Sequence, residues 1–169
     1  MENGIDTRIG TAAFAFRGYN ITNLGKTPEL LAHPIFGPTV KQHLKDAGAI
    51  CSDILGSKVD LVARVRNRRE TSLKTYSHAI GLVIAVELAQ LQLLEEHFNV
   101  PISKAQMSIG YSLGEVGALV AGGVFSLEDV LTTLIALAGD TVELAADVTM
   151  GVLFTRSTAL DLSAIEKLC

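Results

Sequence analysis

Ser112 stands two residues after Gly110 and two before Gly114, within the run Ala105-Gln106-Met107-Ser108-Ile109-Gly110-Tyr111-Ser112-Leu113-Gly114-Glu115. A short apolar segment enters this G-x-S-x-G motif, and the small residues 116–123 that follow read as a helix. Strand, tight turn and helix is the context in which such a serine works as a nucleophile. A serine held in so sharp a turn tolerates only residues without a Cβ two positions to either side, where neighbouring elements crowd it. The helix behind it points unpaired backbone N–H groups and its positive dipole end at the hydroxyl, where an oxyanion would develop. The N–H of Leu113 is placed to be one oxyanion donor, a contact worth roughly 3 kcal/mol of transition-state stabilisation. A chain with 15 glycines also produces this spacing by chance, so the rest of the sequence has to agree with it.

Other chemistry-bearing residues are sparse. Cys51 and Cys169 lie far apart without C-x-x-C spacing, and His33, His43, His78 and His97 form no cluster, so neither a zinc site nor a disulfide framework is indicated. A reducing, cytoplasmic setting is the expectation. With 14 basic residues in 169 and a net charge of −4, binding to nucleic acid by phosphate neutralisation is disfavoured. Lys58, Arg64, Arg66, Arg68 and Arg69 form a basic stretch. It reads either as a patch for a phosphate or an acidic carrier protein, or as a solvated helix face or loop. Residues 1–10 carry Glu2, Asp6 and Arg8 and lack the apolar core of a signal peptide, and no apolar run is expected to reach the roughly 18 residues of a membrane span.

The elements around Ser112 follow from periodicity. Residues 11–16 are a short apolar run stopped by Arg17-Gly18-Tyr19-Asn20, which predicts a buried strand and a glycine-containing loop. Residues 30–53 hold two short helical patterns, with Pro34 and Pro38 at the start of one and Val40, Leu44 and Ala47 on its apolar face. Residues 77–97 predict the longest helix, with Ile80, Val83, Ile84, Leu88, Leu91 and Leu94 inward and Glu87, Glu95 and Glu96 off that face. Asn99-Val100-Pro101 ends it. Beyond the serine, Ser126 precedes Glu128 and Asp129 as an N-cap would, and Val130, Leu134, Leu137 and Leu144 trace a stripe to about Ala146. The order is that of an α/β protein.

The run from Gly110 to Asp129, including Glu115 and Ala118-Leu119-Val120-Ala121-Gly122-Gly123-Val124, resembles the nucleophile region of malonyl-CoA:acyl carrier protein transacylases and of polyketide synthase acyltransferase domains. Phe14-Ala15-Phe16-Arg17-Gly18 resembles that family's first strand and Gly-Gln-Gly loop, and residues 83–96 resemble the helix after its Gln-Pro motif. The resemblance implies an α/β-hydrolase-like acyltransferase core over residues 1–147. Residues 148–169 would be the opening strand and helix of a ferredoxin-like subdomain that stops about halfway. It further implies a ping-pong reaction in which Ser112 takes an acyl group from acyl-CoA and passes it to a phosphopantetheine thiol on an acyl carrier protein, with no bound cofactor and no metal.

The departures from the family are specific. The loop glutamine beside the second oxyanion N–H matches Tyr19, after Gly18; the Gln-Pro glutamine matches His78; the histidine before the serine matches Tyr111; and the arginine that pairs with a malonyl carboxylate matches Leu137. Oxyanion donors are therefore expected at the backbones of Leu113 and Tyr19, with Gly18, His78, Tyr111 and Leu137 around the substrate. A buried carboxylate without its guanidinium partner is costly, so the site is expected to prefer a neutral acyl group. The family's catalytic histidine belongs to the part of the subdomain beyond Cys169, so a second copy or a complementary chain is expected to supply the base. An acyl-thioester hydrolase of the same fold and an inactive remnant or interaction module are the alternatives.

Overall fold

The computed structural model describes residues 6–146 and Ser163. The expected subdomain at 148–169 thus lies outside the described residues, apart from Ser163.

Seven α-helices and a two-stranded parallel sheet occur among the described residues. Strand β1 (Ala13–Phe16) is followed by helices α1 (Thr27–Ala32), α2 (Gly37–Leu55), α3 (Leu61–Arg66) and α4 (Tyr76–Phe98), then strand β2 (Met107–Gly110) and helices α5 (Leu113–Ala121), α6 (Leu127–Ala136) and α7 (Ala138–Ala146). Ala13 pairs with Met107 and Phe16 with Gly110, so both strands end at one level and deliver the Gly18 loop and the Ser112 turn side by side. The described residues are predominantly helical; the α/β order stands, and a hydrolase-like core goes beyond what they show.

Helix α2 starts with Pro38 in its first turn, where no N–H is needed, and ends at Gly56 in the left-handed region at φ 61°. Val40, Leu44, Ala47 and Cys51 are its buried face, as the spacing predicts, although the helix is one continuous 19-residue element rather than a short one. Burial pushes the Cys51 thiol up to about 11, so it packs as an inert apolar group. Helix α4 runs through the centre, against α2 on one side and α5 and α6 on others. Ile80, Leu82 and Ile84 are fully buried, each contributing about 2 kcal/mol of apolar burial. Asn99, at φ 55°, caps its end. By length and composition Leu73–Phe98 is long and apolar enough to cross a membrane, which corrects the expectation that no such run exists; 56% of its apolar window is buried inside this fold.

Three further expectations are corrected. Strand β1 is not buried along its length: Phe16 is covered, Ala13 and Ala15 are exposed, and Met107 and Ile109 on β2 are also exposed, because among the described residues the helices cover one face of the sheet. Glu87 is not off the apolar face in solvent. It is only 8% exposed, because α5 packs on the side of α4 that a two-body helix pattern leaves to water. The stripe from Val130 to Leu144 is not one face either. Ser126 caps α6 as predicted, its Oγ accepting from Asp129 N at 3.1 Å, but the helix stops at Ala136 and α7 begins at Ala138, leaving Leu137 and Leu144 exposed.

Candidate active site

The chain passes from β2 into α5 through Tyr111 and Ser112. Ser112 adopts φ 54° and ψ −122°, outside the left-handed helical well that non-glycine residues occasionally use. Such a conformation costs of order 1–3 kcal/mol and persists only where the surroundings impose it. They do so here: Gly114 N donates to Tyr111 O at 3.0 Å, Glu115 N to Ser112 O at 2.9 Å, and Tyr111 N to Phe16 O at 3.3 Å. Ser112 N in turn donates to Glu115 Oε1 at 3.3 Å.

The glycines are required by contact. A Cβ on Gly110 would overlap the backbone of Glu115, and one on Gly114 would overlap the Phe16 carbonyl. On Gly18 it would sit 2.7 Å from Tyr111 O and 3.2 Å from Ser112 Cβ, so the β1 loop lies directly against the serine. Leu113 is the first residue of α5, and its N–H has no intrahelical acceptor by position.

The loop that carries Gly18 and Tyr19 is fixed by polar residues distant in sequence. Asn23, 3% exposed, accepts at Oδ1 from Asn20 N at 2.9 Å and from Arg17 Nη2 at 2.8 Å, and its Nδ2 donates to Thr71 Oγ1 at 2.9 Å. Glu70 accepts from Asn23 N at 2.7 Å, Thr71 N at 3.0 Å and Leu24 N at 3.2 Å. Burial works to raise the Glu70 carboxyl, but these three amides and Arg17 outweigh it and hold the group below its usual range.

Ser112, Tyr19 and Tyr111 line one cleft of about 490 Å³, together with Asn20, Leu73, Tyr76, Thr141, Val142 and Ala145. Tyr19 and Tyr76 meet edge to face with ring centroids 5.1 Å apart. Burial raises both phenols, helped by Glu70 at Tyr19 and by Tyr19 at Tyr76, so at neutral pH they are protonated hydrogen-bond donors. Among the described residues the cleft lining contains no imidazole, carboxylate or cation.

Of the other expected site residues, His78 and Leu137 do not join this lining. His78, in the first turns of α4, lies 3.2 Å through Nδ1 from Arg64 Nη2. Arginine can only donate, so Nδ1 accepts and the ring proton sits on Nε2. Burial and then the Arg64 charge lower the His78 pKa, keeping the ring neutral at pH 7. Leu137 caps α6 with its side chain half exposed. The basic stretch divides: Arg64 also donates to Glu70 O at 3.1 Å, Arg68 pairs with Glu29 at 3.2 Å, and Arg66 lines a separate cleft with Lys41.

Three residues packed behind the cleft escaped the sequence reading: it gave no role to Glu70 or Asn23, and it put Glu87 off the apolar face of its helix. The single hint was polarity itself, since Glu87 interrupts an otherwise apolar stretch of α4.

No protein-family profile matches the chain, and no solved structure matches it. Among curated proteins it is similar to the reducing polyketide synthase PKS2 of Cochliobolus heterostrophus, with 29% identity over 122 residues. The match covers 72% of this chain and 5% of the synthase. The likeness is to a polyketide synthase-related region.

Proposed function

We propose that the chain is an acyltransferase module that carries a neutral acyl group from acyl-CoA to an acyl carrier protein on Ser112. The observation that carries this reading is the serine at φ 54° between strand and helix, with glycines at the positions where a Cβ would collide. A serine that served only as a helix cap would sit in the ordinary extended region at no conformational cost.

In the proposed reaction a general base removes the Ser112 Oγ proton as the oxygen attacks the thioester carbonyl. The N–H groups of Leu113 and Tyr19 receive the oxyanion, which collapses to a serine ester while the departing CoA thiolate takes the proton from the base. The phosphopantetheine thiol of the carrier then attacks the ester by the same route and restores the serine. Tyr19, Tyr76 and Tyr111 supply an apolar wall with phenolic donors for the acyl carbonyl end. The lack of a cation in the described cleft lining supports an uncharged acyl group. The base comes from a residue outside the described ones or from a second chain.

The test is intact-mass analysis after incubation with acetyl-CoA, a longer saturated acyl-CoA and malonyl-CoA, with and without a carrier protein. Transfer predicts an ester on Ser112 that is discharged onto the carrier thiol. Thiol release at the same rate without carrier would make the chain a hydrolase, and the absence of any adduct under all conditions would reject the reading.

A further inference from the structure

Glu87 belongs to α4 but faces the backs of both segments that build the cleft. Its Oε1 accepts from the backbone N–H of Arg17 at 2.9 Å, the residue immediately before Gly18 and Tyr19. Its Oε2 is buried without a hydrogen-bond partner among the described residues, and it is the atom that a Cβ on Gly117 of α5 would strike. Gly117 lies in the helix that starts beside Ser112. The carboxyl is therefore wedged between the β1 loop and the serine's helix.

We infer that Glu87 is a positioning residue that holds the Tyr19 N–H and the Ser112 helix in register, an assignment that rests on the proposed chemistry at Ser112. The usual explanation of a buried carboxylate, an ion pair with the nearest cation, does not apply. The Arg17 guanidinium is directed to Thr22 O at 3.0 Å and Asn23 Oδ1 at 2.8 Å, and its hydrogen bond to Glu87 comes from the backbone. Lys26 lines the same side cleft of about 340 Å³ without an ion pair to Glu87. From α5 the carboxyl meets a glycine. A carboxylate placed this way has one oxygen hydrogen-bonded by neither protein donor nor counter-ion, whereas the protonated acid keeps the Arg17 bond through its carbonyl oxygen and carries no buried charge.

Burial raises the Glu87 carboxyl to about 7, against the opposing pull of the Arg17 amide and charge. The side cleft gives the group a route to solvent, so it titrates near neutrality. Ionisation puts a negative charge behind the two N–H groups that would receive an oxyanion, and it disfavours the same transition state that those groups stabilise. The protonated form is the competent one.

The experiment compares the wild type, Glu87→Gln and Glu87→Ala. Fluorophosphonate labelling of Ser112 is followed from about pH 5 to 9, and hydrogen exchange is read at the Arg17 amide. Gln keeps the acceptor for Arg17 and cannot ionise. The wild-type to Gln rate ratio is expected to fall severalfold as pH rises through about 7. The Ala variant is expected to label on the order of tenfold more slowly at every pH and to lose Arg17 amide protection, which Gln retains. A ratio independent of pH, or an Arg17 amide equally protected in Ala, overturns the inference. If Ala does not fold, the Gln ratio decides. If the wild type labels no better than Ser112→Ala, the proposed chemistry fails, and retained Arg17 protection in Gln but not Ala would leave only the clamp standing.

Discussion

Ser112 and Gly114 share one tight turn, closed by the Gly114 N–H on Tyr111 O at 3.0 Å. The serine keeps its positive φ because α5 approaches β1 closely enough for Gly114 to touch Phe16 O. Gly114→Ala must separate the two elements, and a loss of about 2–4 kcal/mol in urea unfolding is expected; an unchanged midpoint would mean that the turn tolerates slack. Glu87 yields a second prediction at this scale. Its folded value of about 7 lies above the ordinary carboxyl value of 4.5, so the folded state binds the proton more tightly. Its contribution is complete below about 4.5, is lost as pH rises through about 7, and stays lost above that. The shift bounds this at about 3 kcal/mol, reduced to about 2 by solvent reaching the side cleft. Wild type minus Glu87→Gln stability at about pH 5 and pH 8 measures it, and a difference that grows with pH would contradict the sign.

At the scale of elements, what was legible in the sequence was whatever depends on local pattern. Val40, Leu44 and Ala47 mark α2, Ser126 begins α6, and the small-residue run after Ser112 becomes α5. The G-x-S-x-G spacing also placed the strand and the turn correctly. What local pattern cannot carry is a partner from elsewhere in the chain. Glu87 reads as solvent-facing until α5 covers that side of α4, and nothing in the local pattern marks Glu70, which accepts from the amides of Asn23 and Leu24. Leu137 continues a helical stripe in sequence, yet the helix ends just before it. The loop network gives a test at this scale. Glu70→Ala removes the acceptor of three backbone amides and is expected to cost about 1–3 kcal/mol and to slow Ser112 labelling through the loop bearing Tyr19. Unchanged stability and labelling would show that the loop is held by something else.

Across the molecule, one level of the structure gathers the candidate chemistry. The parallel strands end together, the β1 loop and the Ser112 turn touch, and the tyrosines line the cleft in front of them. With no cation in its described lining, this cleft is expected to load acetyl or a longer saturated acyl group at least about tenfold faster than malonyl, since burying a carboxylate without a partner costs several kcal/mol. Preferential malonyl loading in a direct competition would require a cation outside the described residues. The most direct measurement of the central claim is peptide-level mass spectrometry of the wild type and Ser112→Ala after exposure to a fluorophosphonate and to acyl-CoA. The account predicts adducts of both reagents on Ser112 and none in the variant, whereas no adduct on Ser112, or equal labelling of the variant, would contradict it.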